Sequence, residues 1–166
     1  MTSAWDYAAA AWGRPGVEAA CLDLQAAHGQ CVALLLWRLW AASEGRDVAS
    51  STLESAIRLA RNWDVRVLTP LRAARDAVRD PVAGINQATR ENLRRQLLGT
   101  ELEAERALLA ALDNLTPAKQ GDPAVSNARQ HLVALTALWG TSQPIGSLNA
   151  LLDALQGRPG GSGDST

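Results

Sequence analysis

The sequence predicts an all-α fold, and three observations carry that prediction. Apolar residues recur at three- and four-residue spacing in one segment after another, with no alternating stretch of the kind a half-buried strand shows. Gly and Pro stand where helices would stop or start, as at Gly13, Pro15, Gly29, Gly45, Pro70, Pro123 and Gly140. The segment from Cys31 to Ala42, CVALLLWRLWAA, is apolar around most of its circumference, as a helix buried among other helices is. Arg38 is its one charge. The segment falls short of the ~20 apolar residues that span a bilayer, so it reads as the central helix of a soluble domain. The expectation is a single-domain helical bundle of about six to eight helices over residues 1–156, with a flexible Gly/Ser-rich tail over 157–166.

At 166 residues the chain is long enough to bury a real core, and 47% hydrophobic content argues against disorder. A net charge of −1 supplies no global basic field to attract nucleic acid or anionic lipid. Six Trp, one Tyr and no Phe put the aromatic weight on indoles, each of which needs a partner for its N–H when buried. Cys21 and Cys31 are the only cysteines. With no basic region or apolar run in Met-Thr-Ser-Ala-Trp-Asp, they predict a reducing, cytoplasmic setting rather than a disulfide scaffold.

Taken in order, Ser3 and Asp6 resemble an N-cap with an acidic third residue, opening a short helix that carries Trp5, Ala8, Ala9 and Trp12. Pro15 starts a second helix that runs to about His28, with Val17, Cys21, Leu24 and His28 on one face and Gly29 as its stop. The central helix follows and Gly45 closes it. Ser51 with Glu54 makes a capping-box signature for a fourth helix bearing Leu53, Ile57 and Ala60. Thr69-Pro70 caps and begins a fifth helix through Leu71, Ala74 and Val78, with Val65–Leu68 as a preceding turn or a Pro-kinked extension. Asp80–Asn86 is a loop. A long helix follows from about Thr89 to Leu112, and Gly99 costs it roughly 1 kcal/mol without breaking it. Asn114–Gly121 is a linker, and Asp122-Pro123 starts a helix with Val125, Leu132, Leu135 and Leu138, ending at Trp139 and Gly140. A last short helix covers Leu148–Leu155.

Several stretches together resemble a family of small helical proteobacterial proteins that carry a domain of unknown function. They are Arg14-Pro-Gly-Val-Glu-Ala-Ala-Cys-Leu22 with His28-Gly29, the run Leu34-Leu-Leu-Trp37, Trp63 with Pro70-Leu-Arg-Ala-Ala-Arg75, and Glu101-Leu-Glu-Ala-Glu-Arg106. The resemblance covers about residues 5–112 and implies no activity, cofactor or site residue. In many members the triple Leu follows Asp-Val-Asn, where this chain has Cys31-Val-Ala33. A polar site built on those residues elsewhere in the family has no counterpart here.

The chemistry-bearing residues gather on the long helix. Leu93, Leu97, Leu98, Leu102, Leu108, Leu109 and Leu112 define its apolar face, and Arg94, Glu101 and Glu105 project into the middle of it. Glu101 and Glu105 are one turn apart and repel when both are charged and desolvated, so they need cations. Arg94 lies two turns before Glu101. On the fifth helix Arg75 falls within the stripe of Leu68, Leu71 and Val78, with Arg72 at its edge, so an Arg75–Glu105 or Arg75–Glu101 pair between packed helices is expected. The simpler account of such a cluster is an ion-pair network that fixes helix pairing. The alternative is a polar pocket, lined by Trp37, Trp40 and Trp63, where one carboxylate has a raised pKa and binds or moves protons.

Other chemistries lack their parts. Cys21, His28 and Cys31 have metal-ligand chemistry, but His131 is the only other His, and zinc needs three or four ligands, so no metal or other cofactor is expected. There is no Gly-x-Ser-x-Gly, no phosphate-cradling Gly loop and no Cys-x-x-Cys. Asp64, Asp76 and Asp80 interleave with Arg58, Arg61, Arg66, Arg72, Arg75 and Arg79, so a solvated or ion-paired face is expected there rather than nucleic-acid binding. Trp5 and Trp12 are either lids on the core or part of an apolar partner surface. The leading expectation is a non-enzymatic interaction or adaptor protein using an apolar–Arg groove near these Trp residues and the Trp63–Arg79 segment. The rival is a small-molecule-binding protein or small enzyme that uses the Arg/Glu/Trp pocket.

Overall fold

A computed structural model describes residues 2–119, 127–140 and 143–157. Among them the chain is helical throughout, with no strand. The elements are α1 (Ala4–Trp12), α2 (Val17–Ala26), α3 (Val32–Ser43), α4 (Ser50–Trp63), a π turn (Asp64–Leu68), α5 (Thr69–Ala77), α6 (Gln87–Leu115), α7 (Ala128–Trp139) and α8 (Ile145–Leu155).

The central helix is central. α3 packs against α1, α2, α4, α6 and α7, while α8 lies on α2 and α7. Every residue of α3 from Val32 to Ala42 is buried, Arg38 included, because helices surround it on all sides. Trp37 and Trp40 are 0% exposed, and each indole N–H finds an oxygen. Trp37 Nε1 donates to the Thr116 hydroxyl, and Trp40 Nε1 donates to the Thr2 carbonyl, both at 2.8 Å. Arg46 lies over the Trp40 ring and donates from Nη1 to Pro117 O.

Gly45 ends α3 at a φ of 67°, which a side chain would oppose. Its amide and that of Arg46 return to the carbonyls of Ala42 and Ala41, as in a Schellman cap. Gly29 plays a related part after α2, at a φ of 60°. At the other end of the chain Ser3 caps α1, accepting from the Asp6 amide and donating its own hydroxyl to the Asp6 carboxylate.

Several expected boundaries move. Pro15 does not start α2: Gly16 takes a left-handed φ of 84°, so helical geometry resumes only at Val17. Ser51 and Glu54 form no capping box, because α4 begins two residues earlier than that cap implies, at Ser50, and Ala49 holds the cap position. Ser51 is instead inside the helix, where its carbonyl accepts the Ser55 hydroxyl. Of the two alternatives at Thr69-Pro70, the structure takes the continuous one. The Thr69 amide reaches back five residues to Asp64 O, a π turn that carries α4 into α5 without a break. Pro70 lacks an amide hydrogen, so the wider turn takes up the mismatch around it. α6 continues past Leu112 to Leu115, and α8 starts three residues before Leu148. On α7, Leu132 and Leu135 are buried, whereas Leu138 is exposed. The predicted start of that helix at Asp122-Pro123, with Val125, lies outside the described residues, as does the predicted tail beyond Gly157.

The largest departure is in α6. Its buried residues begin at Glu101 and comprise Glu101, Ala104, Leu108, Leu109 and Leu112. The expected apolar face is therefore covered only over its C-terminal half. Leu93 and Leu98 are 44% and 52% exposed, because the bundle ends before it reaches them, and Leu102, between buried Glu101 and Ala104, is 50% exposed on the helix's outer side. α5 buries no residue fully and packs on α6 and the π turn. Together α5, the loop to Asn86 and the first half of α6 make a two-helix arm. Its α6 portion, Gln87–Thr100, extends about 21 Å at 1.5 Å per residue. No described helix is long and apolar enough to cross a membrane.

Candidate functional site

The base of this arm holds the charged cluster. Arg72, three residues into α5, lies between Asp64 on the π turn and the two carboxylates of α6. Its guanidinium is divided three ways: Nε donates to Glu101 Oε1 at 3.0 Å, Nη1 to Asp64 Oδ1 at 3.1 Å and Nη2 to Glu105 Oε1 at 3.1 Å. Arg75, one turn on, donates from Nη1 to Glu101 Oε2 at 2.6 Å, so each Glu101 oxygen holds a guanidinium. The Glu101 side chain is 6% exposed, and two cations are what make such burial tolerable.

Of the expected site residues, Arg72, Arg75, Glu101 and Glu105 come together. Arg94 does not. It is exposed, two turns nearer the tip, and belongs to a different cleft. Arg75 meets Glu101 rather than Glu105, and Arg72, expected at the edge of the stripe, is the hub. Asp64, expected on a solvated or ion-paired face, is ion-paired and is a further member of the cluster. Its signal was its spacing from Arg72, eight residues or about two turns, which puts both on one side of a helix that runs on through Pro70. The three tryptophans do not form one lining. Trp37 and Trp40 are in the core, and Trp63 is half-buried with Nε1 donating to the Ala104 carbonyl, which ties the end of α4 to α6.

With two guanidiniums and three carboxylates the cluster carries a net charge of −1. Burial raises the Glu105 pKa, and Arg72 opposes that rise without cancelling it. The same charges reach the thiols. Burial pushes Cys31 up to about 12, with smaller effects of opposite sign from Asp64 and Arg72. Cys21 is likewise pushed up to about 12, first by burial and then by Glu105. Both cysteines are free and buried, so neither is a thiolate near neutral pH. Among the described residues no three of His, Cys, Asp and Glu gather as metal ligands would.

A second buried polar contact escaped sequence reading altogether. Arg38, 6% exposed in the middle of α3, donates from Nη2 to His131 Nδ1 on α7 at 2.8 Å. A guanidinium only donates, so Nδ1 is the bare nitrogen and Nε2 carries the proton. Burial and Arg38 both lower the His131 pKa. The two residues are 93 positions apart, and no spacing rule links them.

Chemically, the arm-base cluster is largely self-satisfied: each nitrogen of Arg72 donates to a carboxylate, and two of its five N–H donors, one on Nη1 and one on Nη2, are left over. No curated protein and no solved structure matches the chain. Residues 3–112 match the family described as "Protein of unknown function (DUF2390)", and the chain belongs to that family.

Proposed function

We propose that this chain is a non-enzymatic, cytoplasmic bacterial protein that binds another protein, and that the α5–α6 arm is the element it presents. The observation that carries this reading is the pair Leu98 and Leu102, one helical turn apart where α6 leaves the bundle and each about half exposed. Leu93, Val82 and Ile85 extend the apolar surface towards the tip. Leucines in this register cost solubility unless something covers them. The ion-paired base supports the reading from the other side. Asp64, Arg72, Arg75, Glu101 and Glu105 lock α5 to α6, which holds the arm in one orientation. The N-terminal tryptophans fit the role less well: Arg106 covers the Trp5 ring, and Trp12 alone is exposed.

The test is partner capture from the native host by in-cell cross-linking, with two variants beside the native chain. Leu98→Glu with Leu102→Glu should keep the helical circular dichroism and lose the partner. Glu105→Gln should keep the partner. Loss of function in Glu105→Gln with an intact leucine-pair variant would favour the small-molecule pocket instead.

A further inference from the structure

Towards the tip of the arm, away from the charged base, the turn after α5 and the first half of α6 form an open cleft of about 290 Å³ lined by Val78, Arg79, Gln87, Arg90, Glu91 and Arg94. Three arginines line it, Arg79 from the turn after α5 and Arg90 and Arg94 from α6. Arg90 is fixed by its own fold role: Nη1 donates to the carbonyls of Arg79 at 2.8 Å and Val78 at 3.5 Å, closing the C-terminal end of α5. That leaves its Nη2 without a partner among the described residues. Arg94, one turn on, makes no hydrogen bond or ion pair among them at all. Arg79 shares an exposed contact with Asp76 at 3.3 Å, the kind of surface pair that contributes little. Glu91 is the cleft's one carboxylate, and Gln87 Nε2 donates to it at 2.6 Å.

We infer that this cleft binds a phosphomonoester. Its lining carries three positive charges and one negative, a net +2, which matches the −1.5 to −2 of a phosphomonoester near pH 7. The donor geometry points the same way. Arginines drawn from two separate segments suit a tetrahedral group with three acceptor oxygens better than a flat carboxylate, which one arginine can satisfy alone. Arg90 is already held by two carbonyls, so little side-chain entropy is lost when a ligand meets it. Arg90 also covers the carbonyls of Val78 and Arg79 just past the end of α5, which would otherwise face an anion. A nucleic-acid strand fits less well. No aromatic residue stands between Trp63 and Trp139 to stack a base.

The proposal is independent of the arm's apolar partner and is tested on the full chain. The ¹⁵N-labelled protein is titrated at constant ionic strength with inorganic phosphate and with glycerol 3-phosphate, with chloride as the control anion. Saturable amide shifts confined to about residues 78–94 are expected. Arg94→Gln should weaken binding roughly tenfold or more, as loss of a charged donor does, without loss of fold because Arg94 holds nothing in place. Arg66→Gln, at an exposed arginine outside the cleft, should bind as the native chain does. A parallel sedimentation with phosphatidic acid in phosphatidylcholine vesicles separates the sources: Arg94-dependent binding to vesicles alone assigns the same chemistry to a lipid headgroup. Shifts that stay linear, that chloride reproduces, or that Arg66→Gln weakens as much as Arg94→Gln would overturn the site, unless the vesicles show Arg94-dependent binding.

Discussion

Arg72 Nε and Glu101 Oε1 stand 3.0 Å apart across the base of the arm, and the remaining nitrogens of Arg72 go to Asp64 and Glu105. One side chain from α5 thus holds carboxylates from two other elements. Arg72→Ala removes that hub while Arg75 still serves Glu101, and it leaves half-buried Glu105 without its direct cation. A loss of about 2–4 kcal/mol in urea unfolding is expected, somewhat below the cost of breaking a fully buried pair because the arginine is partly exposed. Arg72→Lys should restore less than half of it, since one ammonium cannot fork to three carboxylates.

The geometry also distinguishes between two pairings that the sequence left open. A double-mutant cycle on Arg75 and Glu101 should give a coupling of roughly 1 kcal/mol or more. The cycle on Arg75 and Glu105 should give well under about half of that, because no direct bond joins them. Equal couplings would show that the cluster acts only as a diffuse charge field.

Two groups should shape stability against pH in opposite senses. His131 has its pKa lowered in the fold by burial and Arg38, so its contribution is complete above its ordinary value of 6.5 and is lost as pH falls through the folded value. Glu105 has its pKa raised, so its contribution is complete below its ordinary value of 4.5 and is lost as pH rises through the folded one. Thermal melts across pH 4–8 should show His131→Gln losing less stability than the native chain below pH 6.5. Glu105→Gln should lose less on the rise from pH 4.5.

Thr116 accepts from Trp37 Nε1 and donates to Leu112 O at 2.7 Å, which joins the end of α6 to the central helix. Thr116→Val keeps the shape and removes the oxygen, so the buried indole N–H is left unpaired. A cost of about 1–3 kcal/mol is expected, with the Trp fluorescence midpoint as the measure.

Cys21 and Cys31 should resist iodoacetamide at pH 8 in the folded chain and react in urea, since burial holds both thiols protonated. Alkylation of the native protein at the rate of a free thiol would show that α2 and the start of α3 open readily.

The sequence by itself determined the helical class, the buried central helix and the places where chirality demands glycine. Continuous apolarity from Val32 to Ala42 permits few environments other than an enclosed one, and Gly29 and Gly45 mark backbone conformations that other residues oppose. It also placed Arg72, Arg75, Glu101 and Glu105 on facing stripes, because helical periodicity reports which residues share a side. Periodicity does not report how far the neighbouring helix extends. Leu93, Leu98 and Leu102 carry the same pattern as Leu108, Leu109 and Leu112, yet only the second set is covered. Tertiary structure alone decided where the bundle stops, and so made an arm of α5 and α6. It decided, too, that Arg94 joins Arg79 and Arg90 at the tip rather than Glu101 at the base. The contact of Arg38 with His131 is likewise tertiary, since it depends on how α7 docks against α3. Local rules act over a turn or two of helix, and these contacts depend on docking between elements that such rules leave undetermined.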